Sequence, residues 1–136
     1  MWPHIGRHTG LEMARAAVLY VAVIGFLVAN RRVPGALTVL GGTCCNALAT
    51  LASGGRMPVA ISALGRFPAR AVATMTAGGF GAHAPLLHPA GVGWLGDIVA
   101  SPAPLPPEVF SVGDILVGIG LAIFLSACMR PRHPGR

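Results

Sequence analysis

Two carboxylates, Asp97 and Asp114, are the side chains of this 136-residue chain best placed to do chemistry. They are two of only four acids, and both lie among apolar neighbours: Trp94-Leu95-Gly96-Asp97-Ile98 and Val109-Phe110-Ser111-Val112-Gly113-Asp114-Ile115. Two carboxyl groups held together away from water share one proton, and such a pair can supply an acid and a base for hydrolysis. A lone carboxylate in that setting closes a helix end or neutralises a cation, because leaving it unpaired is costly. For Asp97 the expected partner is Arg56, in Ser53-Gly54-Gly55-Arg56-Met57-Pro58-Val59, or else the backbone amides of a turn.

Asp114 has a fuller structural explanation. Ser111 stands where a helix would begin and Asp114 follows three residues on, the spacing of a capping box. Phe110 and Ile115 fall where a hydrophobic staple would close, and the carboxylate would meet the positive end of the helix dipole. This reading uses every residue of the segment, so it ranks above catalysis at Asp114. Asp97 stays open between a structural pair and a titratable functional group.

Other chemistry is thin. His83 and His88 lie five apart with no carboxylate or cysteine nearby, so no metal site is expected. Cys44, Cys45 and Cys128 sit in apolar runs and read as small packing residues. The chain has no phosphate-binding glycine loop and no Gly-x-Ser-x-Gly elbow, so no cofactor is expected. Asn46 is a strongly polar side chain deep in an apolar run. Its expected role is a hydrogen bond between helices, with pore lining second.

The elements that must position these residues are those of a membrane protein. Hydrophobic residues make up 54% of the chain and charged ones 10%, against roughly 25% charged in soluble domains. So few charges cannot cover the surface of a soluble chain this size. All ten basic residues are arginine, scattered between apolar runs without interleaved aromatics, so nucleic acid is not the expected partner. Interfacial contact with lipid headgroups is.

The fold expected is an all-α membrane bundle of about three transmembrane helices, over about 11–30, 33–53 and 112–129, forming a single membrane domain over 11–136. Residues 1–10 read as a disordered lead-in. In the first helix Glu12 and Arg15 are spaced to pair, and Arg15 can snorkel to lengthen a short apolar stretch. The second lies in a charge-free window between Arg32 and Arg56, with Pro34 suited to its first turn and Gly54-Gly55 to its stop. Its small residues Gly41, Gly42, Thr43 and Ala47, and the line Gly118, Ala122, Ser126 on the third, suit close helix contact. A helix-helix partner or a second copy is therefore expected. Between the second and third helices the chain reads as irregular and partly amphipathic: Pro68 divides 59–75 into two interfacial pieces, and Ser101 to Pro107 reads as a stiff extended segment. Arg31, Arg32, Arg130, Arg132 and Arg136 put the C-terminus in the cytoplasm of a multi-pass protein, with 54–110 outside.

Gly54-Gly55-Arg56-Met57-Pro58-Val59 after a helix carrying Asn46, then Leu95-Gly96-Asp97-Ile98, then Val109-Phe110-Ser111-Val112-Gly113-Asp114, in that order, resembles an uncharacterised family of bacterial integral membrane proteins, a domain of unknown function. The resemblance covers about residues 30–129. It implies a place in the bacterial plasma membrane and supplies no activity. The family usually has Asn where this chain has Ser53, and further membrane sequence upstream. The segment Val109 to Asp114 is also similar to the closing motif of lipoprotein signal peptidases, intramembrane aspartyl proteases, although the block carrying their other catalytic Asp is missing. Two functions follow as expectations: a non-enzymatic subunit or accessory factor of a membrane assembly, or a membrane hydrolase using Asp97 and Asp114. A small transporter component ranks third.

Overall fold

The computed structural model describes residues 9–78 and 81–130. Residues 1–8 of the expected lead-in, and Arg132 and Arg136, lie outside the described residues; Thr9 and Gly10 already belong to the first helix.

Four α-helices dominate: α1 (Thr9–Ala29), α2 (Ala36–Ala52), α3 (Ala69–Thr76) and α4 (Val112–Cys128). The expected all-α architecture needs correction, because four short strands lie between α2 and α4: β1 (Met57–Ala60), β2 (His83–Leu86), β3 (Val99–Ala100) and β4 (Val109–Phe110). α1 carries a 20-residue stretch, Gly10–Ala29, of mean hydropathy 1.9, long and apolar enough to cross a membrane. Only 6% of it is buried within the protein. α2 and α4 are equally apolar in character but have 17 residues each, about 26 Å of helix against a hydrocarbon layer of about 30 Å.

The start of α2 differs from the expected one for a local reason. Pro34 lies in the connecting turn rather than in the helix, because Gly35 takes a left-handed conformation (φ 83°) before the helix begins at Ala36. At the other end Gly54 and Gly55, both at positive φ, end the helix as expected and swing the chain into β1. A side chain at Gly55 would strike the backbone of Met13, 2.5 Å away, so this turn is packed directly on the first turns of α1.

α2 lies tightly against α4 and also contacts α1. The α2–α4 crossing is made by glycine: a methyl group on Gly42 would fall on the backbone of Gly113, and one on Gly120 would lie 2.6 Å from Val39. The expected line Gly118, Ala122, Ser126 is not this contact. It faces outward and is exposed.

Residues 53–111 form a small cap. β1 and β2 pair in parallel, Met57 opposite His83 and Ala60 opposite Leu86. Asp97 adds a bridge on the other edge of β1, with its amide donating to the Pro58 carbonyl (2.8 Å) and its carbonyl accepting from the Ala60 amide (2.9 Å). Pro58 is tolerated in this strand because a residue's N–H and C=O point the same way, so the missing donor costs the β2 ladder nothing. The cap's core is Val59, Leu64 and Met75, flanked by Ile61, Phe67, Val72 and Val109. Pro68 divides this region as expected, ending the turn at Ile61–Leu64 and starting α3. The segment from Ser101 to Pro107, expected to be extended, is instead a closed loop. The Ser101 hydroxyl donates to the Pro106 carbonyl (2.6 Å) and accepts from the Glu108 amide (3.0 Å), while Arg66 donates to the carbonyls of Ser101 and Leu105 (2.8 Å each).

Candidate functional site

The capping box expected at the start of α4 is present. The Ser111 hydroxyl accepts from the Asp114 amide (2.9 Å), and Asp114 Oδ2 accepts from the Ser111 amide (3.0 Å). Asn46 of α2 completes a ring: its Nδ2 donates to Asp114 Oδ1 (2.8 Å), and its Oδ1 accepts from the Ser111 hydroxyl (2.8 Å). Ser111 is fully buried, and Gly113 is bare because Asn46 occupies the space its side chain would need. Asn46 is thus the helix-to-helix hydrogen-bonding residue that its position implies, and it uses the cap as its partner.

Each member of the ring has one arrangement that satisfies the others. In Asp114→Asn the new amide must keep an oxygen toward the Ser111 N–H, which turns its NH2 toward Asn46 Nδ2. Flipping Asn46 then leaves the Ser111 hydroxyl proton without an acceptor. We expect Asp114→Asn to cost about 1–3 kcal/mol, the cost of one stranded polar group, and Ser111→Ala a similar amount. Thermal melting of the two variants in detergent checks this.

Asp97 is buried, 5% exposed, at the junction of β1 and the Gly91–Leu95 turn. Its partner is not Arg56 but His83 of β2, whose Nε2 is 3.6 Å from Oδ2. β1–β2 pairing and the Asp97 bridge on the opposite edge of β1 bring these two residues together. Burial, aided by the Asp114 charge and opposed by His83, raises the Asp97 carboxyl to about 6. The two aspartates therefore sense each other's charge, yet each has its own partners.

Arg56 is held elsewhere. Its Nε and Nη2 donate to the two carboxylate oxygens of Glu12 (2.8 and 2.7 Å), and Nη1 donates to the Gly78 carbonyl (3.1 Å). Glu12 consequently ties α1 to the cap, rather than pairing along its own helix with Arg15. The fork keeps the Arg56 guanidinium protonated even more firmly than usual. Beside it, Tyr20 and Thr50 share a hydrogen bond (3.1 Å) and Thr50 reaches Met57 Sδ (3.5 Å).

Two cavities adjoin this centre, and His83 lines both. One, of about 390 Å³, lies between α1, the end of α2 and the cap, against Glu12, Arg15, Tyr20, Thr50 and Arg56. The other, of about 480 Å³, opens within the cap. Among the described residues no cluster of His, Cys, Asp or Glu could hold a metal ion. Gly96 is buried because its Cα lies against Pro58, so Gly54, Gly55, Met57, Pro58 and Gly96 act as backbone supports around Asp97 and Arg56.

The sequence does not reveal the partners of His83 and Glu12, nor the Tyr20–Thr50 pair. His83 was legible only through its strand register, and that pairing spans more than twenty residues of sequence. Glu12 left a signal: in a chain with four acids, one in an apolar helix needs a cation, and Arg56 needed an acid.

No curated protein and no solved structure matches the chain. Residues 8–126 match a family pattern described as a family of unknown function (DUF5317), which extends from the first turn of α1 through the Asn46–Ser111–Asp114 ring to the last turn of α4. By that match over most of its length, the chain belongs to this family of unknown function.

Proposed function

We propose that the protein is a multi-pass membrane protein in which α1, α2 and α4 cross the bilayer, the cap lies on the outer face, and no chemistry is performed. Its role is that of a subunit or accessory factor of a membrane assembly. The observation that carries this reading is the commitment of Asp114. Its Oδ2 closes the cap of α4 with the Ser111 amide, and its Oδ1, with the Ser111 hydroxyl, is bonded to Asn46 of α2. Meanwhile the outer faces of α1 and α4 present Val18, Val21, Phe26 and Leu125, each more than half exposed, as lipid-facing helices do.

Charge placement supports the orientation. Arg31, Arg32 and Arg130 stand at one end of the three helices. At the other end Arg56 is neutralised by Glu12, which leaves Arg66 and Arg70 as the cap's unneutralised arginines against Arg31, Arg32 and Arg130 on the cytoplasmic side. The exposed line Gly118, Ala122, Ser126 is where a further helix, from a partner or a second copy, would approach most closely.

A hydrolase using Asp97 and Asp114 is the second reading, favoured by the electrostatic coupling of the two carboxyls. It requires Asp114 to leave its cap during turnover.

The protein is expected to resist carbonate extraction and to need detergent. In a cysteine-free background, cysteines placed at Gly65 and Ala90, both exposed on the cap, should react with an impermeant reagent from outside, and one at Arg130 should not. Release by carbonate, or labelling of position 130 alone, would reject the placement.

A further inference from the structure

The cap does not close its core. Val59, Leu64 and Met75 are buried, and with Phe67, Val72 and Val109 they line an open cavity of about 480 Å³. Protein interiors normally pack with few voids larger than a water molecule. This volume lies in the lower half of the range, about 300–1,000 Å³, of pockets that bury small molecules. The floor is apolar throughout. The polar side chains on its lining are Arg70, Thr74 and His83.

Arg70 differs from the cap's other arginines. Arg56 is matched by Glu12, and Arg66 is spent on Ser101 and Leu105. Among the described residues Arg70 has neither a hydrogen bond nor an ion pair through its side chain, and it is exposed on the first turn of α3. None of the chain's four acids lines the cavity. An apolar chamber of one-chain size with an unmatched guanidinium at its edge is complementary to one ligand chemistry.

We infer that this cavity binds a single-chain amphiphile, an apolar chain ending in one anionic group, with the chain against Val59, Leu64, Phe67, Val72, Met75 and Val109 and the head at Arg70. The head is a carboxylate or a phosphate. It would come from a free fatty acid in the first case and from a lysophospholipid in the second. The inference rests on the membrane placement proposed above only in making the bilayer the source of the ligand.

The test uses the full chain in nanodiscs of a zwitterionic two-chain phospholipid, with a fluorescent long-chain carboxylate as probe. Saturable binding is expected, with displacement by unlabelled fatty carboxylate or alkyl phosphate, and a competing alcohol of equal chain length about tenfold weaker or worse. Whichever of the two anions displaces better assigns the source. Arg70→Glu should weaken binding by about tenfold. Thr74→Lys, which adds a second cation one turn away, should tighten it, while Val72→Trp should fill the chamber and abolish it. Both Arg70 and Thr74 are exposed, so neither change threatens the fold. Absence of saturable binding by the wild-type protein would overturn the pocket. Equal binding of the alcohol, or an unchanged affinity in Arg70→Glu, would overturn the anionic head. Carbonate release of a protein that still binds the probe would reject the membrane placement and leave the pocket standing.

Discussion

Gly113→Ala is expected to remove the folded protein rather than to weaken it. A methyl group at this position would coincide with the Asn46 side-chain oxygen and stand 2.5 Å from the Gly42 carbonyl. The first obstacle can turn away only by giving up the Asn46 bonds, and the second is backbone and cannot yield by changing rotamer. α4 must move off α2, and the two bonds that Asn46 makes to Asp114 and Ser111 go with it. Overpacking costs about 1–3 kcal/mol where neighbours can adjust. With each of the two lost bonds adding about 1 kcal/mol, the total should reach about 3–5 kcal/mol. Gly118→Ala is the control, because nothing lies within 4 Å of its added methyl. It should melt like the wild type or slightly higher, given alanine's better helix propensity of up to about 1 kcal/mol. Yield and melting temperature in detergent decide the matter, and wild-type behaviour of Gly113→Ala would mean that the helices do not cross this closely.

The second large effect is a dependence on pH that opposes ordinary acid denaturation. The Asp97 carboxyl titrates near 6 in the folded protein and near its usual 3.8 when the chain unfolds. The folded state therefore holds the proton more tightly. Its stability relative to the unfolded chain is full below about 3.8, falls as the pH rises toward about 6, and is flat above. A shift of about 2 units corresponds to about 3 kcal/mol of stability lost across that window. Asp97→Asn keeps the shape and cannot ionise, so it should be more stable than the wild type at pH 8 and lack this fall. Chemical unfolding at a series of pH values from 4 to 8 measures both arms. A wild-type protein whose stability rises steadily through that range, with Asp97→Asn less stable at pH 8, would contradict the assignment. Asp114→Asn removes a neighbouring charge, so it should shift the Asp97 midpoint downward.

Legibility in the sequence followed the range of the interactions. The three apolar helices are legible because each is set by a continuous run of residues, and their ends by Gly, Pro and Arg nearby. The capping box is legible because its partners are three residues apart. Asn46 could be assigned a role but not a partner, since the ring is closed by residues far along the chain. The strands are not legible because β1 and β2 carry Pro58 and Pro85 and form only when they meet across α3, and β3 and β4 are two residues each. With that pairing hidden, charge alone points Asp97 to Arg56, whereas the sheet delivers His83 to it and the turn at Gly55 delivers Arg56 to Glu12. The loop at Ser101 was hidden for the same reason: a run of prolines suggests extension, and one buried hydroxyl folds it back.

The Asn46 ring also imposes an order on synthesis. Asn46 leaves the ribosome 65 residues before Ser111, and until α4 follows, its amide and the bare glycine face of α2 have no native complement. α1 and α2 can associate early, and Arg56 can find Glu12 as soon as the first strand emerges. The last helix is thus the keystone of the assembly. Nascent chains arrested before residue 112 should remain exposed to quality-control proteases, and the protection gained on release of α4 should appear in a single step.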